Sequence, residues 1–172
     1  SAQMLITRDL VNPLAVSSAD FDGDQDLDII AVALNEKNLT WYKNNGQFNF
    51  AEKSIIDSSI TGLHAVAIAD FDGDKYPDIV VSSNASPYRT VWYKNDGKGN
   101  FSKPRLIVNH DTGNIITADL DGDGDQDILL NTYWYANDGQ GNFTEITQVQ
   151  FNTGVYATTA DLNNDKRLDV IT

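Results

Sequence analysis

Four copies of one acidic loop, set at a near-constant distance, constrain this chain more than any other feature. Asp20-Phe21-Asp22-Gly23-Asp24-Gln25-Asp26-Leu27-Asp28 returns as Asp70-Phe71-Asp72-Gly73-Asp74-Lys75-Tyr76-Pro77-Asp78 and as Asp119-Leu120-Asp121-Gly122-Asp123-Gly124-Asp125-Gln126-Asp127. The fourth copy reads Asp161-Leu162-Asn163-Asn164-Asp165-Lys166-Arg167-Leu168-Asp169. The starts lie 50, 49 and 42 residues apart, a period typical of arrays of small β-sheets. A second motif keeps step with the first: Trp41-Tyr42-Lys43-Asn44-Asn45-Gly46, Trp92-Tyr93-Lys94-Asn95-Asp96-Gly97 and Trp134-Tyr135-Ala136-Asn137-Asp138-Gly139. Each is followed, four residues after its Gly, by Phe50, Phe101 or Phe143. Asp119 to Trp134 spans only 15 residues against 21 and 22 in the earlier periods, so the third is shortened within one loop.

Between these landmarks the chain reads as short strands. Strand A is small and apolar (14–19, 64–69, 114–118, 155–160), and strand B follows the Asp loop (29–34, 79–83, 128–130). Strand C carries the Trp-Tyr pair, and strand D follows the Phe (51–56, 102–108, 144–151). The Asn-Asn-Gly and Asn-Asp-Gly segments joining C to D are hairpin signals, because Asn, Asp and Gly tolerate the positive φ of such turns. Strand B is apolar on both alternating faces, as a strand sandwiched between neighbouring sheets must be. Four antiparallel strands per period predict an all-β chain of propeller blades.

In that register, residues 1–13 are the last strand of a preceding blade. Residues 14–60, 61–111 and 112–153 are blades, and 154–172 begin another. A closed seven-bladed propeller at this period needs roughly 330 residues, about twice this length. The chain is therefore expected to belong with the remaining blades of a larger chain, a four-bladed ring being the other possibility.

Asp at positions 1, 3, 5 and 9 of a tight loop brings carboxylates round one point, where they repel unless a cation holds them. Ca2+ suits such a site, since it takes six to eight oxygens in tolerant geometry, whereas Mg2+ demands a strict octahedron. Position 7 is Asp26, Tyr76, Asp125 and Arg167, which share no side-chain chemistry, so its backbone carbonyl is the expected ligand. Position 4 is Gly or Asn, the types that tolerate a left-handed backbone. The expected metal residues are Asp20, Asp22, Asp24, Asp26 and Asp28, then Asp70, Asp72, Asp74, Tyr76 and Asp78. The third set is Asp119, Asp121, Asp123, Asp125 and Asp127, and the fourth Asp161, Asn163, Asp165, Arg167 and Asp169. The fourth, with Asn163 for an Asp, is expected to be the weakest of up to four Ca2+ sites. An EF-hand does not fit, because Gln25 and Ala31 stand where Gly and Glu are needed.

These loops, combined with Trp-Tyr-Lys-Asn-Asp-Gly-x-Gly-Asn-Phe, closely resemble the FG-GAP/VCBS repeats of integrin α-subunit propellers and of many secreted bacterial proteins. The resemblance covers essentially the whole chain. It implies a propeller, usually seven-bladed, with Ca2+ in the A to B loop of a blade, held by Asp20, Asp22, Asp24, Asp28 and their equivalents. The chain lacks the Phe-Gly and Gly-Ala-Pro signatures of integrins, which sets it nearer the bacterial VCBS type.

The charge balance agrees with a cation-binding role. Lys and Arg number 12 against 25 Asp and Glu, a net charge of −13. That disfavours nucleic acid, which needs clustered basic residues, and anionic membrane surfaces. No run approaches the roughly 18 apolar residues of a membrane span. With no Cys there is no thiolate nucleophile, and neither His64 nor His110 sits in a nucleophile motif, so catalysis is not expected. The sequence reading is a non-catalytic, calcium-binding module of a secreted or cell-surface protein, recognising an extracellular protein or glycan. Loops of this kind bind Ca2+ at about 10⁻⁴ to 10⁻³ M, filled outside cells. The alternative is a lectin or the propeller part of an extracellular polysaccharide-degrading enzyme. Sugar stacking would then fall to Trp41, Trp92 and Trp134 or to Tyr42, Tyr93 and Tyr135, residues that a repeated blade position otherwise buries.

Overall fold

Pro13–Ala19 (β1), Asp28–Ala33 (β2), Leu39–Lys43 (β3) and Glu52–Asp57 (β4) form the first of three four-stranded antiparallel sheets. The second holds Leu63–Ala69 (β5), Asp78–Ser83 (β6), Arg89–Tyr93 (β7) and Arg105–Val108 (β8). The third holds Ile115–Ala118 (β9), Asp127–Leu130 (β10), Tyr133–Asn137 (β11) and Phe143–Ile146 (β12). Thr158–Ala160 (β13) and Asp169–Ile171 (β14) pair as a two-stranded sheet. This computed structural model describes residues 6, 7, 10, 12–33, 37–47, 49–50, 52–110, 113–147 and 157–171, and among them no helix forms. Every sheet is a meander, each strand pairing with its sequence neighbour.

Why the second strand of each sheet is central follows from its side chains. β2, β6 and β10 are Ile-, Val- and Leu-rich and almost wholly buried, and β6 packs one face on each neighbouring sheet, Ile79 and Val81 towards the first and Val80 towards the third. One core joins the first two sheets, with Phe21, Ile30, Val32 and Trp41 against Ile79, Val81, Val91 and Tyr93. A second joins the next two, with Phe71, Val80 and Trp92 against Ile128, Leu130 and Tyr135. Each such side chain, fully buried, stabilises the fold by about 1.5–3 kcal/mol.

The first strands face one another. β1 packs on β5 and β5 on β9, so the Asp loops that leave these strands lie at equivalent ends of successive sheets. Leu14, His64, Asn114 and Ala157 help line a hollow of about 450 Å3 at this hub. His64 turns its Nδ1 into buried space. The arrangement is propeller-like, without a closed ring among the described residues.

Two strand ends depart from expectation. The segment after Phe101 enters its sheet only at Arg105, because Pro104 has no N–H to give a ladder. Ahead of it, Asn95 and Phe101 make a single bridge and Ser102 N–H donates to Lys94 O at 2.8 Å. β12 stops at Ile146, short of the expected 151. Residues 148–156, and most of the segment 1–13, lie outside the described residues.

Candidate metal centres

Each Asp loop is first an elaborate turn around its opening carboxylate. Asp20 Oδ1 accepts the N–H of Gly23 at 2.7 Å and of Asp24 at 3.2 Å, and its Oδ2 that of Gln25 at 2.9 Å. Asp70 repeats the pattern with Gly73, Asp74 and Lys75, and Asp161 with Asn164, Asp165 and Lys166. Aiming these N–H groups at one carboxylate requires a left-handed backbone at position 4, where φ is +79° at Gly23 and +66° at Asn164. Position 6 is left-handed as well, at Gln25, Lys75 and Lys166, which the side chains there do not announce.

The ninth residue closes the loop from inside. Asp28 Oδ1 accepts the N–H of Asn44 at 2.7 Å and its Oδ2 that of Phe21 at 3.3 Å. Asp78 and Asp127 do the same with Asn95 and Phe71, and with Asn137 and Leu120; Asp127 also accepts the Trp134 indole N–H at 3.1 Å. Burial raises all three carboxyls from their ordinary value, Asp78 up to about 6, against the pull of these N–H donors.

Position 3 completes a triad. Carboxylate oxygens of Asp20, Asp22 and Asp28 lie within 4.8 Å of one another, as do those of Asp70, Asp72 and Asp78 and of Asp119, Asp121 and Asp127. Asp22 Oδ1 and Asp72 Oδ1 are buried with no hydrogen-bond partner, so each has a lone pair free for a cation. Hard anionic oxygens at this spacing fit Ca2+ chemistry.

Positions 5 and 7 are bonded to each other beside the triads. Asp24, Asp74 and Asp123 each accept the position-7 N–H, from Asp26, Tyr76 and Asp125, at 2.9 to 3.0 Å. The side chains of Asp26, Tyr76 and Asp125 turn away, over Gly46, Gly97 and Gly139 of their own sheets. In the fourth loop Asp165 accepts the Arg167 N–H at 2.8 Å and Asp169 that of Leu162 at 2.9 Å. Asp161 and Asp169 form no triad there, since Asn163 replaces the middle carboxylate.

Two residues that the sequence reading passed over sit on these loops. The Lys43 ammonium pairs with Asp22 and the Lys94 ammonium with Asp72, and both lysines are held more firmly protonated by that contact. Their signal was a Lys repeated at one place in the Trp-Tyr motif, with Ala136 at the third. Trp41 and Trp92 are only 9% and 4% exposed, edge-on to Phe101 and Phe143 of the next sheet, and Tyr42, Tyr93 and Tyr135 are buried. None of these five offers a face to a sugar; Trp134 is half-buried.

Comparison with solved structures places the fold beside two larger proteins. A lectin of Agrocybe aegerita, described as specifically recognising non-reducing terminal N-acetylglucosamine, superposes with a TM-score of 0.66 at 23% identity over 89% of this chain and 44% of its own. The V. cholerae biofilm matrix protein Bap1 superposes with a TM-score of 0.53 at 23% identity over 94% of this chain and 28% of its own. The chain thus spans less than half the length of either. No curated protein sequence matches it. The FG-GAP-like repeat model matches residues 20–81, 70–130 and 131–172, so it runs from the first Asp loop to the last residue. With loops, sheets and repeat model in one register, this chain belongs to the FG-GAP-like repeat family.

Proposed function

We propose that this chain is part of a calcium-stabilised β-propeller that acts without catalysis as an extracellular glycan-recognition or adhesion module. The observation that carries the calcium reading is the buried, partnerless oxygen of Asp22 in the first triad and of Asp72 in the second. Ca2+ there would be structural, tying β1 to β2 and β5 to β6 through the loops, with further blades extending the array. The likeness to a lectin and a biofilm matrix protein supports the recognition role. Because Trp41 and Trp92 are core, the exposed aromatic side chains among the described residues, Tyr76 and Tyr88, are the candidates for a sugar.

The test is a thermal melt in EDTA and in about 2 mM CaCl2, followed by a glycan array in calcium. Three sites filled only in the folded state, each with Kd of about 10⁻⁴ M, would together add about 5 kcal/mol. An unchanged melt would overturn structural calcium. A calcium-dependent shift with no glycan retained would leave protein adhesion as the recognition role.

A further inference from the structure

The carboxylates best placed to hold a divalent ion already hold a cation. Lys43, at the end of β3, pairs through Nζ with Asp22 Oδ2 and stands 3.6 Å from Asp24 Oδ2. Lys94, just past β7, pairs with Asp72 Oδ2 and stands 3.0 Å from Asp74 Oδ2. Asp22 and Asp72 side chains are 8% and 10% exposed, so the ammonium reaches a largely desolvated oxygen whose partner oxygen is free of hydrogen bonds. A divalent ion entering the triad would meet a positive charge on the same carboxylate, a repulsion that falls only as the reciprocal of distance. The third sheet carries Ala136 in this place, and among the described residues no ion pair forms on its loop.

We infer that Lys43 and Lys94 are tethered counter-cations, each of which offsets one negative charge of the first or second Asp loop when metal is absent and competes with the divalent ion for Asp22 or Asp72. The proposal rests on the calcium reading above and adds to it the element that sets affinity loop by loop. The lysine side chains are 32% and 43% exposed, so each head group can swing into water without unpacking the core. A lysine ammonium is a compact, well-hydrated charge on a flexible stem, suited to leaving and returning.

The experiment is a Ca2+ titration of the 172-residue chain followed by amide NMR, with Gly23, Gly73 and Gly122 reporting their own loops. Lys43→Met should raise Ca2+ affinity at the Gly23 loop about fivefold and leave the Gly122 loop unchanged, with Lys94→Met doing the same at Gly73. Ala136→Lys should weaken the Gly122 loop by a similar factor. Affinities unmoved by all three substitutions, or lowered by the methionines, would overturn the competition while leaving calcium binding intact. If none of the three amides moves in the wild-type chain, calcium binding itself falls, and this inference with it.

Discussion

The side-chain amide of Asn95 donates to the main-chain carbonyl of Phe21, 74 residues earlier, at 2.9 Å. Asn137 repeats the bond to Phe71 at 2.9 Å, so the ends of β7 and β11 are each tied to the Asp loop of the preceding sheet. Phe21 O accepts a second donor, the Gly99 N–H at 3.0 Å. Both Asn residues also serve their own sheets, through Pro77 O at 3.1 Å and Gln126 O at 3.1 Å, whereas Asn44 bonds Leu27 O alone among the described residues.

Truncating these amides should therefore separate by partner number. Asn95→Ala and Asn137→Ala each remove donors to two carbonyls, of which Phe21 O keeps the Gly99 N–H, and a buried group left unsatisfied costs about 1–3 kcal/mol. Asn44→Ala should cost less. Urea denaturation at one fixed Ca2+ concentration reads the order, and equal losses at all three would disprove the inter-sheet role.

Close approach of backbone to indole gives a second expectation. A Cβ on Gly99 would stand 2.5 Å from Trp41 Cη2 at φ +76°, while one on Gly122 would meet nothing within 4 Å at φ +84°. Gly122→Ala should cost only the left-handed backbone term, about 1–2 kcal/mol. Gly99→Ala must also displace Trp41 from the core between sheets, and overpacking adds about 1–3 kcal/mol. Similar midpoints for the two variants in denaturant would show that the indole yields freely.

Much of this architecture is legible in the residues themselves. The double-faced apolar runs at Ile29 and Ile79 mark central strands, and the Asn-Gly turns force hairpins, so the meander follows from local chemistry. What escapes is what depends on the neighbouring sheet. Asn95 reads as an ordinary turn residue until Phe21 is placed beside it, and Lys43 as a solvated strand end until the Asp loop curls back over it. Position 5 carries a bond that spacing does not announce: one oxygen of Asp24 and one of Asp74 accepts the N–H two residues on. The left-handed backbone at Gln25 and Lys75 has no side-chain signature at all.

Tyr93 and Asp57 link the second sheet to the first and confer acid sensitivity. The Tyr93 hydroxyl donates to Asp57 Oδ2 at 2.6 Å. Burial works to raise the Asp57 carboxyl, but the Tyr93 hydroxyl and the Ser59 N–H outweigh it and hold it below its ordinary value. A depressed carboxyl stabilises the fold above its unfolded pKa of 3.8, and that stability is lost as pH falls through the folded value. Tyr93→Phe should cost about 1.5–3 kcal/mol at pH 7, the range for hydrogen bonds to charged groups. The gap to wild type should narrow below about pH 4. A gap independent of pH would assign the loss to packing alone.

Asp78 works in the opposite sense. Burial, with added repulsion from Asp72, lifts its carboxyl from 3.8 to about 6 despite the N–H groups of Asn95 and Phe71. A raised carboxyl favours the folded state fully below its unfolded pKa, and that contribution disappears as pH rises through about 6. In EDTA the wild-type melting temperature should therefore fall between about pH 4 and 7. Asp78→Asn, which cannot ionise, should flatten part of that slope, the remainder belonging to Asp28 and Asp127, whose carboxyls are raised by the same burial. Calcium should reverse the wild-type trend, because a divalent ion needs the ionised carboxylate and gains on the proton as pH rises. Melts across this range, with EDTA and with Ca2+, separate the two effects. Parallel slopes for wild type and Asp78→Asn in EDTA would show that the buried carboxyl titrates where an exposed one does.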